Sequence, residues 1–380
     1  MTDNILITNA RIVLRDEEFT GTARMSGGRI ADLAPGRSML PHAEDWNGDY
    51  LLPGLVELHT DNLEKHLMPR PKVSWPEFPA LLSHDAEIAA AGITTVFDAL
   101  GVGDVDAQAL RGQGKQALLD SLDHAEAEGL LRADHRLHVR CELPAPNTVT
   151  LFEPFARCTR VGLLSLMDHT PGQRQWTDID KARTYYTGKK GWSHEKFDAV
   201  MADGPALQQK YADPHRRYFV EHARTHGIPV ASHDDTTPDH VAQAAAEGVT
   251  ISEFPTSETA ARHARAAGLA TVMGAPNVVR GGSHSGNACA TSLAAAGLLD
   301  ALSSDYVPAS LLHAAFLLRE RAGYTTAAAV ATVSAHPARM ARLDDRGDIA
   351  VGKRADFSRT RVSVRGPSVL AVWRAGRRVV

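Results

Sequence analysis

An apolar stretch, Leu51-Leu52-Pro53-Gly54-Leu55-Val56-Glu57-Leu58, runs into His59-Thr60-Asp61. On a β-strand alternate side chains share a face, so this imidazole and carboxylate are presented to one small polar site. That is chelate geometry, and zinc, iron and manganese all accept such a pair. The chain holds 18 histidines, so one His-x-Asp carries little weight alone. Its company is more telling. The apolar runs Leu137 to Glu142, Gly162 to His169, Ile228 to His233 and Ala301 to Asp305 each stop at a residue able to bind metal. Chance would not set histidines and carboxylates in such register, so His59, Asp61, Glu142, His169, His233 and Asp305 are read together as a metal centre. Glu142 is the candidate to bridge two metals, because its two oxygens can be shared. The plainer alternative is a buried glutamate paired with Arg140 or another base.

Something must hold these residues at one end of one scaffold. Three more apolar runs, Thr94 to Asp98, Thr250 to Phe254 and Leu269 to Gly274, lie between them, and alanine-rich helical stretches separate the whole set. Eight such β/α units over residues 51–345 match a TIM barrel, whose usual length is roughly 250 residues and whose active sites lie at the carboxyl ends of the strands. Residues 4–14 and 22–33 alternate short apolar strands around Gly27-Gly28, and the tail repeats this style around Gly366-Pro367. The expected architecture is therefore α/β. A (β/α)8 barrel (51–345) carries a small β-sandwich formed by both chain ends, with residues 1–50 and 346–380 as its two parts. The longest excursion, residues 170–227, is rich in Lys, Tyr and Trp and is expected either to cover the substrate as a lid or to form an oligomer contact.

Composition narrows the function classes. With 43% hydrophobic residues among 380, the chain can bury one large core and a smaller one. Its 41 basic and 45 acidic residues nearly balance, which argues against a nucleic-acid or membrane surface. Cys141, Cys158 and Cys289 form no Cys-x-x-Cys pair and fit a reducing compartment. No stretch approaches a membrane span and no leader pattern opens the chain, so the cytoplasm is the expected location.

Pro53-Gly54-Leu55-Val56-Glu57-Leu58-His59, the metal-type strand ends, Asp305 and Gly352-Lys353-Arg354-Ala355-Asp356 resemble the amidohydrolase superfamily, whose members pair a metal-bearing barrel with a small sheet domain. More narrowly, six longer segments resemble the triphosphate diphosphatases of the carbon-phosphorus lyase (phosphonate catabolism) pathway. They are residues 59–65, 69–73, 165–174, 232–235, 274–287 and 303–306. The resemblance implies hydrolysis of α-D-ribose 1-methylphosphonate 5-triphosphate to the 5-phosphate and pyrophosphate. It also implies divalent metal ions, two per chain, with zinc the first expectation and iron or manganese the alternatives. Metal-held hydroxide would attack the α-phosphorus, with Asp305 orienting the water and accepting its proton.

A triphosphate also demands positive charge. Lys65, Arg70, Lys72, Arg174, Lys189, Lys190 and Arg280 follow or lie near strand ends, and each alone reads as a solvated surface charge. The family segments single out Lys65, Arg70, Lys72, Arg174, Arg280 and His284 for substrate binding. Gly281-Gly282 would let backbone amides approach an anion beside Arg280. His284 is also a catalytic candidate, as a donor to phosphate or leaving group. One departure stands out: many amidohydrolases carry a histidine on the sixth strand, where this chain has Ser252-Glu253-Phe254. His169 is expected to fill that role, with Glu253 behind the ligands. The ribosyl triphosphate is the expected partner, a homo-oligomer is left open, and neither nucleic acid nor membrane is expected. The alternatives are an amide or cyclic-amide hydrolase, which would often use a carboxylated lysine that no strand end here supplies, and a barrel scaffold without enzyme activity.

Overall fold

The structure is a computed structural model that describes residues 4–70, 73–103, 115–170, 172, 174, 179–188, 191–283 and 286–380. Two eight-stranded sheets organise it. The first gathers the chain ends: β1 (Ile5–Val13), β2 (Glu18–Ser26), β3 (Arg29–Pro35), β4 (Glu44–Asp45), β5 (Tyr50–Pro53), β14 (Phe357–Ser363), β15 (Gly366–Arg374) and β16 (Arg377–Arg378). Its order is β16-β15-β14-β5-β1-β2-β3, with β4 beside β1. Aromatic packing holds this sheet domain, where Phe357 and Trp373 stack at 4.7 Å and Trp46 meets Trp373 at 5.8 Å.

The second sheet is all parallel and follows chain order: β6 (Leu55–Thr60), β7 (Ile93–Val102), β8 (Asp134–Glu142), β9 (Val161–Met167), β10 (Val230–His233), β11 (Ile251–Glu253), β12 (Ala270–Gly274) and β13 (Ala301–Ser303). These are the eight runs expected from the sequence. Thr60 pairs with Asp305 across the seam between β6 and the end of β13, which brings the last strand back to the first. The interior is packed: Val56, Phe97, Leu163, Ala231, Ile251, Val272 and Ala301, from seven of the strands, form one buried cluster.

The apolar stretch that opens the sequence reading is not one strand. It breaks at Gly54, with β5 in the end sheet and β6 in the barrel. A Cβ on Gly54 would lie 2.2 Å from Thr94 Oγ1, and its amide donates to the Asp356 carbonyl at 2.9 Å. Glycine is needed because the two sheets meet at its backbone.

Residues 170–227 carry α5 (Ile179–Gly188) and the 33-residue α6 (His194–His226). Ser193 caps α6 at its start and Gly227 closes it in a left-handed conformation, while Pro205 and Pro214 lie inside it. Gln208 donates to Asp168 at 2.7 Å and His215 reaches the Leu143 carbonyl at 2.9 Å, so α6 is fastened to the mouth of the barrel.

Candidate metal centre

The residues that end the barrel strands converge in two groups, His59 with Asp61 and Asp305, and His169 with His233 and Asp234. Within each group ligand-type atoms lie within 4.8 Å of one another. Backbone conformation turns several of them inward. Asp234, Phe254 and Asp305 all take left-handed φ near 55°, a costly state for residues other than glycine that clusters at functional sites. Each uses its amide to bond a neighbouring strand: Asp234 to the Glu253 carbonyl, Phe254 to that of Val272, and Asp305 to that of His59.

Carboxylates orient the histidines from behind. Glu253, buried at the end of β11, gives one oxygen to His59 Nδ1 and the other to His233 Nδ1, both at 2.7 Å. Ser165 donates to the same carboxylate at 2.7 Å. With both Nδ1 atoms engaged, His59 Nε2 faces Asp61 at 3.7 Å and His233 Nε2 faces Asp234 at 3.3 Å. Glu142 treats His169 in the same way, accepting from its amide at 2.9 Å and meeting its Nδ1 at 2.5 Å. His169 Nε2 then faces Asp234 at 3.9 Å. Such carboxylate–imidazole pairs fix the tautomer that leaves Nε2 free to bind metal.

The electrostatics are those of a cation site. Burial pulls the His59 imidazole down most strongly, but the charge of Glu253 together with hydrogen bonds to Asp61 and Glu253 raises the pKa to about 10. Burial would raise Glu253, yet His59 and His138 hold it well below the usual carboxylate range. Burial raises Glu57 to about 7 despite amide bonds from His59 and Ser304. Asp234 Oδ2 is buried without a hydrogen-bond partner among the described residues. An unpaired acceptor facing two imidazole nitrogens, in a set of imidazoles and carboxylates, fits a divalent ion that displaces the imidazole protons on binding.

Placement of the sequence candidates is uneven. His59, Asp61, His169, His233 and Asp305 come together, and Glu253 lies behind the histidines. Glu142 does not span the two groups, because both its oxygens are spent on His169. It is the buried glutamate paired with a base, and that base is His169 and not Arg140, which donates to Asp61 at 2.8 Å. Lys65 bonds the Asn62 side chain at 2.9 Å and the Tyr306 carbonyl at 3.2 Å. Arg174 is buried and donates to Asp235 at 2.9 Å and the His233 carbonyl at 2.7 Å, so its guanidinium braces β10 and does not face solvent. Arg70 and Arg280 are exposed. Arg280 ends α9 (Ala275–Arg280), and the amides of Gly281 and Gly282 close that helix on the Asn277 carbonyl, which leaves them unavailable to an anion. Lys72, Lys189, Lys190 and His284 lie outside the described residues.

Asp234 and His138 were not singled out from the sequence. Asp234 sits next to His233, and only its left-handed backbone turns it into the same group. His138 shares a strand face with Arg140 and Glu142 on β8, a period-two signal present in the sequence. Its Nδ1 meets the Leu58 carbonyl at 3.0 Å, while Nε2 is buried and unpartnered among the described residues. Beside His169, a small cleft is lined by Pro144, Thr170, Tyr186, Trp192 and Phe197 among others, so α5 and α6 wall one side of the site.

Residues 86–380 match the amidohydrolase family, and the chain belongs to that family. Across 99% of this chain and the whole of the relative, it is 44% identical to the alpha-D-ribose 1-methylphosphonate 5-triphosphate diphosphatase of Escherichia coli (strain K12). Among solved structures, its fold is similar to dihydropyrimidinase from Brevibacillus agri NCHU1002, with a TM-score of 0.65 at 13% identity over 100% of this chain and 95% of that one. It is also similar to N-isopropylammelide isopropylaminohydrolase from Burkholderia multivorans ATCC 17616, with a TM-score of 0.62 at 20% identity over 100% and 98% of the two chains. No described helix is long and apolar enough to cross a membrane.

Proposed function

We propose that this chain hydrolyses α-D-ribose 1-methylphosphonate 5-triphosphate to the 5-phosphate and pyrophosphate, as a metal-dependent step of phosphonate degradation. The carrying observation is the paired group at the barrel mouth, His59, Asp61 and Asp305 beside His169, His233 and Asp234, in a chain 44% identical to a diphosphatase of that name. These six residues would hold two divalent ions, zinc first, with iron or manganese as alternatives. When bound, such ions acidify a water and polarise a phosphoryl oxygen.

The chain's own groups supply the rest. Asp305 accepts the proton of the attacking water, as a carboxylate carried on a backbone fixed from β6. Water adds to the α-phosphorus, the bond to the bridging oxygen breaks, and pyrophosphate leaves with that oxygen. Arg70 and Arg280, exposed and free to reorient, are offered as triphosphate cations together with Lys72 and His284. The cleft beside His169 takes the ribosyl end. Amide hydrolysis is disfavoured because no strand end carries the lysine that a carbamate bridge would use. Phosphorus NMR of the products tests the reading: chelator-treated protein should be inert, restored zinc should return pyrophosphate, and orthophosphate release would reject it.

A further inference from the structure

A second buried constellation lies behind the metal loop, apart from the six residues assigned above to the metal ions. It begins at Asp85 on α2 (Glu77–Ala90), which accepts from the amides of Arg132 and Ala133 at 2.8 and 2.9 Å. His135 on β8 reaches Asp85 through Nε2 at 3.2 Å and Asp98 on β7 through Nδ1 at 2.8 Å. The other oxygen of Asp98 meets His84 Nε2 at 2.7 Å, and His84 Nδ1 meets Asn62 Nδ2 at 3.1 Å. Asn62 opens α1 (Asn62–Leu67), immediately after Asp61. His84, Asp85, Asp98, His135 and Asn62 are all buried.

The partners dictate the direction of every bond. Lys65 can only donate, so it fixes Asn62 Oδ1 as the acceptor at 2.9 Å. Glu87 accepts from Asn62 Nδ2 at 2.8 Å, which fixes the amide's other end. The second Nδ2 proton therefore points at His84 Nδ1, which must be an acceptor. His84 is then neutral and donates from Nε2 to Asp98. His135 lies between two carboxylates and donates from both nitrogens, as an imidazolium. The chain of bonds leaves no donor facing a donor, so Asn62 has a single orientation.

Its outer end is Lys65. The same ammonium that bonds Asn62 also holds the Tyr306 carbonyl at 3.2 Å, one residue beyond Asp305. Asp305 sits at a left-handed φ of 55°, and its carbonyl is held by Thr60 Oγ1 at 2.9 Å and the Asp61 amide at 2.7 Å. A conformation of that cost persists only where surrounding bonds over-determine it.

We propose that Asn62 and Lys65 are positioning residues, through which the buried Asp85–His135–Asp98–His84 chain locks the Asp305–Tyr306 turn in the geometry that aims the Asp305 carboxylate. This rests on Asp305 acting as the base under the proposed function. It assigns Lys65 a tether in place of a phosphate contact.

A kinetic double-mutant cycle with Asn62→Ala and Lys65→Met separates the two roles. A misplaced base lowers kcat and leaves KM alone, so each single variant should lose about tenfold or more in kcat. Because they act as one unit, the double variant should be no worse than the poorer single. Lys65→Met is a surface change that does not threaten folding, and unfolding temperature and metal content check Asn62→Ala. A rise in KM with kcat unchanged for Lys65→Met, or losses that multiply in the double variant, would overturn the tether. Nitrogen-15 shifts of the His84 ring give a readout that needs no substrate: a neutral ring protonated at Nε2 supports the chain of bonds, and a charged ring overturns it. If the unaltered enzyme releases no pyrophosphate, the proposed function fails and the ring shifts still decide the bonding.

Discussion

Glu253 offers the sharpest perturbation. Each of its oxygens takes one Nδ1–H, from His59 and from His233, and replacing it by glutamine leaves one oxygen and one amide donor. One histidine keeps its acceptor. The other then faces an N–H and must shift its own proton to Nε2, the nitrogen that faces Asp61 or Asp234. One ligand is thereby withdrawn. Loss of such a supporting carboxylate lowers metal affinity about 10- to 100-fold, which is about 1.4–2.8 kcal/mol. Glu253→Gln protein, equilibrated with zinc in a chelator buffer and analysed by mass spectrometry, should show that weakening for at least one ion, with activity recovered at high zinc. Zinc affinity equal to that of the unaltered protein would refute the orienting role and, with it, the choice of Nε2 as the metal-facing nitrogen.

Other outcomes follow from the same geometry. Asp305→Asn should cut kcat by about 10²–10⁴ with KM held, in stopped assays run at saturating zinc because Asp305 is also one of the metal-holding residues. Because His59 is raised to about 10 without metal, binding must displace its proton, so metal affinity should climb with pH up to that value. Calorimetry in buffers of differing ionisation enthalpy should record the proton release. Asp98→Asn breaks a buried ion pair and should destabilise the fold by about 3–5 kcal/mol in denaturant unfolding. The His135 pKa is raised to about 9, so its contribution is full below its ordinary value of 6.5 and fades as pH rises through 9. The stability gap between unaltered protein and His135→Gln should narrow across that window.

Much of this was legible in the sequence because barrel strands announce themselves as apolar runs and their functional residues sit where the runs stop. His59, His233 and Asp305 needed no more than that. Glu253 was legible as a departure, a carboxylate where a histidine is common, although its double grip on two imidazoles belongs to the folded barrel. The basic residues were harder. Arg174 and Lys65 each sit in segments that read as phosphate loops, yet one braces β10 against Asp235 and the other ties α1 to the Asp305 turn. A cation's type and neighbourhood along the chain do not reveal which acceptor it meets across it. Asp234 is not legible in the sequence, because a left-handed φ, which no spacing rule encodes, is what turns it toward His169 and His233. The break at Gly54 is not legible for a related reason: it depends on Thr94 and Asp356, both remote in sequence.

The central claim concerns which phosphorus is attacked, and hydrolysis in oxygen-18 water reads it directly. With zinc-loaded enzyme and the ribosyl triphosphate, phosphorus NMR should find one labelled oxygen in the 5-phosphate and none in pyrophosphate. Label in pyrophosphate, with an unlabelled sugar phosphate, would contradict the account.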